Sequence, residues 1–170
     1  MAKFQKIETE IINILESIAS KARDKFKIDN TWPTNRELTS QIKDSLREIG
    51  SKKEYCICGH KSEYPEWLYD IVWLKLDKHG HLIDSILVGE SELNESDSEI
   101  DWDFQKLLLA KAKHKVMIFQ KKSIDDIHTK MADFEQQVKK YKGTDTGERY
   151  LFAGLDWNKG VFEFKLFVKS

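Results

Sequence analysis

Cysteine is almost absent from this chain of 170 residues: Cys56 and Cys58 are the only two. They stand two apart, which gives no disulfide framework and fits a reducing compartment better than a stapled secreted domain. An excess of positive charge is lacking too. The 28 Lys and Arg are balanced by 29 Asp and Glu, a formal charge of −1, so any surface for nucleic acid has to be a local patch. No apolar run approaches the roughly 20 residues that cross a bilayer. The opening MAKFQKIETEIINILESIASK has an amphipathic helical pattern instead of the apolar block of a signal peptide. Internal repeats are also missing. These absences leave a cytoplasmic protein with no membrane partner as the expectation. With 40% hydrophobic and 11% aromatic residues the chain is not disordered, and its length suits one domain with a sizeable core.

What is present reads as helices and strands in mixed order. Ile7, Ile11, Ile14, Leu15 and Ile18 recur at helical spacing and predict a helix over about residues 3–26. Trp32-Pro33-Thr34-Asn35 is a turn into a second helix through Leu38, Ile42, Leu46 and Ile49, stopped by Gly50. The period then changes to that of a strand. Strands are expected at 54–58 (EYCIC), Trp67–Leu76 and Leu82–Leu93, the last two joined by the turn Asp77-Lys78-His79-Gly80. A helix at about Asp101–Lys113, a compact apolar strand at 116–119 (VMIF) and a helix at about 123–142 follow. Tyr150–Trp157 and Val161–Val168 form a terminal hairpin around Asn158-Lys159-Gly160. The order is ααβββαβαββ, an α/β class with a mixed sheet.

Acids interrupt two of these strands. The strand at Leu82–Leu93 buries Ile86 and Val88 and then carries Glu90 and Glu92, two apart and therefore on one face. In EWLYDIVWLKL, Trp67, Tyr69, Ile71 and Trp73 make one face, and Leu68, Asp70, Val72, Leu74 and Leu76 make the other. Paired as a hairpin, the two strands bring Asp70, Glu90 and Glu92 to one end of the sheet. Carboxylates that close repel, and a hard divalent cation with oxygen ligands relieves them. Mg²⁺, which takes one or two carboxylates plus water and substrate phosphate, suits phosphodiester hydrolysis. If the strand instead ends at Val88, both glutamates are solvated loop residues beside a helix N-terminus. In DWDFQKLLLAKAK, Phe104, Leu107 and Leu108 form a packing stripe, and Asp103 and Lys106 neighbour each other three apart. No Lys or Arg lies between Lys78 and Lys106. Lys106 could reach the acids from the crossover helix, or be an ordinary helix-surface lysine.

An acid on one strand, an acid on the next and a lysine on the helix that follows, within an αβββαβ order, resembles the PD-(D/E)xK, or restriction-endonuclease-like, nuclease superfamily. The run EWLYD…ESEL…DFQKLL, about residues 66–109, carries the likeness, and strand order extends it to about 35–120. Asp70 matches the first acid and Glu90 the second, while Glu92 stands where lysine is usual in the Glu/Asp-x-Lys signature. Some restriction endonucleases end in Glu-x-Glu, and elsewhere in the superfamily the lysine has moved to the following helix, which Lys106 resembles. The likeness implies a restriction-endonuclease-like αβββαβ core with a mixed central sheet, an additional N-terminal helix, and a C-terminal helix plus β-hairpin, all in one domain over 1–170. It implies a Mg²⁺-dependent nuclease, with Mn²⁺ able to substitute. Asp70, Glu90 and the backbone carbonyl of Ser91 would hold the metal, and Glu92 would be a second-metal ligand or general base. Lys106 would orient the attacking water or stabilise developing charge. Glu66 and Asp103 are outer candidates. The implied partner is nucleic acid, DNA first, with a homodimer or a recognition partner where specificity is strict. One rival is a catalytically inactive nuclease-like fold that binds nucleic acid or protein, which loss of the usual lysine favours and three converging acids oppose. Another is a purely structural partner protein that associates through its long N-terminal helices.

Other groupings carry less. Cys56-x-Cys58-x-His60 with His79-x-His81 is narrower than the pairs of structural zinc sites, and reads as small apolar residues on a strand face plus a turn. The acidic run Glu95–Asp101 lacks the central glycine of an EF-hand and reads as a solvated loop. Lysines cluster at Lys111, Lys113, Lys115, Lys121 and Lys122. A second group, Lys139, Lys140, Lys142 and Arg149, leads into KGTDTGER, a polar loop suited to a nucleic-acid backbone or simply to solvent. Trp157 and the phenylalanines of the last strand read as core.

Overall fold

In the computed structural model, which describes residues 3–59, 64, 68–94 and 96–170, the helical periods become α1 (Lys6–Asp29), α2 (Asn35–Lys52), α3 (Asp97–Leu109) and α4 (Ile124–Lys140). The alternating stretches become β1 (Cys56–Gly59), β2 (Ile71–Leu76), β3 (Leu82–Glu92), β4 (His114–Lys121), β5 (Arg149–Asp156) and β6 (Val161–Val168). The strands lie side by side in chain order in an open mixed sheet. β1, β2 and β3 pair antiparallel, β3, β4 and β5 pair parallel, and β6 turns back against β5. Each parallel step requires a crossover, which α3 and α4 supply. Both crossovers move the same way across the sheet, so a shared handedness lays both helices on the same face.

Side-chain alternation sorts the core into two halves. Ile71, Trp73, Leu87, Val116 and Ile118 pack against Ile11 and Leu15 of α1 and Leu38, Ile42 and Leu46 of α2. Val72, Leu74, Val88, Met117 and Phe119 pack against Phe104 and Leu107 of α3 and Ile127 and Phe134 of α4. Each such burial contributes roughly 1.5–3 kcal/mol, and the sheet becomes the middle of three layers. Charge keys α1 to the sheet as well. Glu8 is buried, accepts from Arg149 Nε at 2.6 Å and lies 3.1 Å from His114 Nδ1. Burial alone raises a carboxyl pKa, but hydrogen bonds from Arg149, His114 and the Gln5 N–H outweigh it and bring Glu8 down to about 2.

Several boundaries depart from the sequence expectation, each for a physical reason. β2 begins at Ile71, with residues 68–70 in a bend, so the alternation read across Asp70 does not extend to it; Trp67 lies outside the described residues. A bulge sets Leu87 opposite Trp73 and Ser85 opposite Leu74. Ile86 is the extra residue and packs on the Leu87 side, not beside Val88. The acidic run is not a loop from Asp97 onward but the first turn of α3. The helix dipole favours acids there, and Lys121 and Lys130 come to 2.6 and 3.3 Å from Asp97; Glu95 is outside the described residues. The helix stops at Leu109 because Ala110 is extended. β4 outruns its apolar centre because ion pairs carry its charged ends inside: the Lys115 ammonium lies 2.6 Å from Glu148 and 2.9 Å from the Tyr150 hydroxyl.

Cys56 and Cys58 are free thiols packed with the core. Burial, reinforced by Cys56, pushes Cys58 up to about 11. His79 and His81 belong to the β2–β3 turn, where Asp77 accepts from both backbone N–H groups; His60 lies outside the described residues.

Gly50 does not stop α2, which runs on to Lys52. Its lack of a side chain lets the helix press onto the sheet. A Cβ there would stand 2.4 Å from Ile57 Cδ1 and 2.8 Å from Nε1 of the buried Trp73. Helix propensity alone favours Gly50→Ala by about 1 kcal/mol, yet the methyl meets a ring that has no room to retreat. Urea unfolding should therefore show a net loss of about 1–3 kcal/mol; a gain in stability would mean that α2 stands off the sheet.

Candidate functional site

β3 ends where β2 begins. Ile71 opposes Gly89, so Asp70, in the bend before β2, sits beside Glu90. Val88 and Glu90 project toward the α3 layer, and Ser91 toward α2.

Glu90 is only 1% exposed. Lys106 of α3 comes within 2.7 Å of its Oε1 and 2.9 Å of Asp103 Oδ1, one helical turn back. The lysine arrives there because Phe104, Leu107 and Leu108 press α3 onto the sheet, leaving Asp103 and Lys106 on the flank beside the strand end. Lys106 therefore engages Asp103 and Glu90 Oε1 together as one ion-paired group. Burial pushes the Glu90 carboxyl up to about 8; Lys106 opposes this, and the charges of Asp70 and Asp103 add to it. Burial also works against the Lys106 ammonium, but Asp103 and Glu90 together hold its pKa above the ordinary lysine range.

Asp70 is held from the opposite layer. Its Oδ1 accepts from Lys43 Nζ of α2 at 2.6 Å, and its Oδ2 from the Ser91 N–H at 3.1 Å. The second bond satisfies a β3 amide that a longer β2 would have paired. Glu92 is half-buried, and its Oε1 accepts from the Asn94 N–H at 2.6 Å. Burial raises its pKa against that hydrogen bond, and the charges of Asp103, Glu99 and Asp70 raise it further. Tyr69 belongs to the same group: burial, then the charge of Glu90, raises its hydroxyl pKa.

Thus Asp70, Glu90, Glu92 and Lys106 gather at one end of β3, joined by Asp103 and Lys43. Four carboxyl groups here face two ammonium groups, and two of the four, Glu90 and Glu92, hold their protons more tightly than ordinary glutamates. Burial is the main cause and the crowding of acids adds to it. A divalent cation would relieve that crowding, and its hard character suits Asp70, Glu90 and the Ser91 carbonyl. Lys43 and Lys106 meanwhile engage the two acids. Among the described residues no three His, Cys, Asp or Glu side chains converge as a preformed cage, so a cation has to displace an ammonium from a carboxylate. Glu66 lies outside the described residues. Lys43 was not legible as a site residue: it flanks the Ile42 stripe, and no local signal says that this flank meets Asp70.

The basic candidates lie elsewhere. Arg149 opens β5 and pairs with Glu8, Lys139 and Lys140 close α4, and Lys142 follows in a turn. These positions cluster toward the N-terminal end of β5, whereas Glu90 and Glu92 stand at the C-terminal end of β3. The earlier lysine group is dispersed: Lys111 pairs with Asp145, Lys115 with Glu148 and Lys121 with Asp97. Set against known proteins, the chain matches no family model, no curated protein and no solved structure.

The raised Glu90 pKa has a consequence for stability. Below the ordinary value of 4.5, folded and unfolded chains both keep the proton, and there is no penalty. As pH rises from there to about 8, only the unfolded carboxyl is free to ionise, so the fold loses stability; above about 8 the loss is constant. In metal-free buffer Glu90→Gln should therefore melt above wild type at pH 9 and level with it near pH 4. An equal difference at both pH values would assign the effect to packing.

Proposed function

We propose that this protein is a metal-dependent nuclease that hydrolyses phosphodiester bonds of nucleic acid, DNA first. Its active centre would sit on a restriction-endonuclease-like αβββαβ core, about residues 35–120, within a single domain over 1–170. The observation that carries the reading is the contact between Lys106, on the helix after β3, and Glu90, at the end of β3 beside Asp70. Lys106 in this place resembles the lysine of those PD-(D/E)xK nucleases in which it has moved to the following helix. The directions of β1 to β4, two antiparallel junctions and then a parallel one, support the same core.

Asp70, Glu90 and the Ser91 carbonyl would hold Mg²⁺ or Mn²⁺, which when bound supplies Lewis-acid polarisation of the phosphate and a more acidic water. Glu92, with its proton affinity raised, accepts a proton from the attacking water. Lys106 keeps its positive charge and offers it to the phosphate oxygens as they gain charge. Asp103 positions that lysine. No helix among the described residues is long and apolar enough to cross a membrane. A cytoplasmic setting, with a homodimer or recognition partner for specificity, completes the proposal.

One pair of observations favours a second reading. Glu92 occupies the usual lysine position, and Asp70 is engaged by Lys43. A nuclease-like module that binds nucleic acid or a protein without cleaving it follows from these, and it predicts oligonucleotide binding with no metal-dependent turnover.

Single-turnover assays on labelled duplex and single-stranded DNA and RNA, with Mg²⁺ or Mn²⁺, separate the two. Asp70→Asn should abolish cleavage. Lys106→Met should slow the chemical step by at least about 100-fold while changing binding little. Cleavage that is equal in wild type and both variants would trace the activity to another site or another protein.

A further inference from the structure

The other side of the β3 end is open. A cleft of about 670 Å³ runs between α2 and the segment after β3, next to Asp70 but facing away from Lys106. Arg36, Thr39, Ser40 and Lys43 line it from α2, and Ser91 and Asn94 from the strand end. The α2 residues recur three or four apart, so one helix face presents a guanidinium, two hydroxyls and an ammonium in a row. Arg36 is exposed and enters no ion pair among the described residues. Ser91 is the unusual member. It is 8% exposed, and its Oγ has no hydrogen-bond partner, a state that a buried hydroxyl does not keep without cause. The α2 N-terminus is already closed by its own capping box between Thr34 and Glu37, so the cleft's character comes from side chains.

That lining is rich in donors. Its cations and hydroxyls want a ligand with several acceptor oxygens and negative charge, and Glu92 at the rim is the single acid among the lining residues. Lys43 reaches both the cleft and Asp70, which makes the cleft continuous with the acid cluster. We propose that this cleft is a phosphate subsite. It seats a backbone phosphate of the bound nucleic-acid strand next to the phosphate presented to Glu90, through Arg36 and Lys43. The Ser91 hydroxyl turns out from its buried position to donate as the ligand enters. The identity of the strand rests on the nuclease reading; the affinity of the cleft for a phosphodiester does not.

The test measures binding, not turnover. Full-length wild type, Arg36→Gln and Ser91→Ala are titrated into fluorescein-labelled single-stranded and duplex DNA in EDTA, at several salt concentrations, and their melting is followed with and without inorganic phosphate. Arg36→Gln should weaken binding about tenfold and reduce the slope of log K against log salt by about 0.7 for single strands or 0.9 for duplex, one phosphate contact. Ser91→Ala should weaken binding about threefold without lowering the melting temperature, because its hydroxyl supports nothing inside the protein. Wild type that fails to bind, variants that bind like wild type, or a Ser91→Ala protein that melts lower would overturn the subsite. Stabilisation by inorganic phosphate that Arg36→Gln abolishes, without oligonucleotide binding, would overturn its assignment to a strand. Binding that depends on Arg36 and Ser91 in a protein that never cleaves with Mg²⁺ or Mn²⁺ defeats the nuclease reading and leaves the subsite standing. Cleavage by wild type with Arg36→Gln unchanged in affinity defeats the subsite alone.

Discussion

A glutamate that is 1% exposed at the end of a central strand sets the terms for this part of the molecule. Glu90 cannot reach water, and its burial raises the cost of its charge. The fold answers with Lys106, delivered by α3 as that helix crosses from β3 to β4. The parallel pairing of β3 with β4 is what requires the crossover, and Phe104 and Leu107 fix how α3 lies. A lysine one residue to either side would point about 100° away around the helix. The site therefore depends on the same contacts that hold the layer together.

Strand alternation then works both sides of the sheet. Glu90 faces α3, and Ser91 contributes to the cleft beside α2. Asp70 lies at the junction, taking the Ser91 N–H with one oxygen and Lys43 with the other. Lysines from two helices on opposite faces thus engage two neighbouring acids, one at the end of β3 and one in the bend before β2. The two ammonium groups offset part of the repulsion among the crowded acids, and the proposed cation would offset the rest.

The architecture was legible because long periodic segments dominate it: every helix and strand expected from the pattern exists in the expected order. Lys106 could be read from its spacing to Asp103 and from the crossover that must carry it. What local pattern could not convey was pairing at a distance. Asp70 seemed to continue an alternating strand, but β2 starts one residue later, and a backbone amide and Lys43 decide where the carboxylate goes. Ile86 changed sides through a bulge that no residue type announces. Lys115 reads as surface charge in sequence and is buried against Glu148, 33 residues away. Arg149 reads as part of a basic patch and is taken by Glu8 from the first turn of α1.

On the proposed reading, the acids at the end of β3 are a cation site held in reserve by two lysines. A crystal structure grown with Mn²⁺, with anomalous data collected at the manganese edge, tests it most directly. An anomalous peak bonded to Asp70 and Glu90 at roughly 2.1–2.2 Å is expected, with Lys43 or Lys106 withdrawn from its carboxylate. A map without density there, with both ion pairs intact, would contradict it.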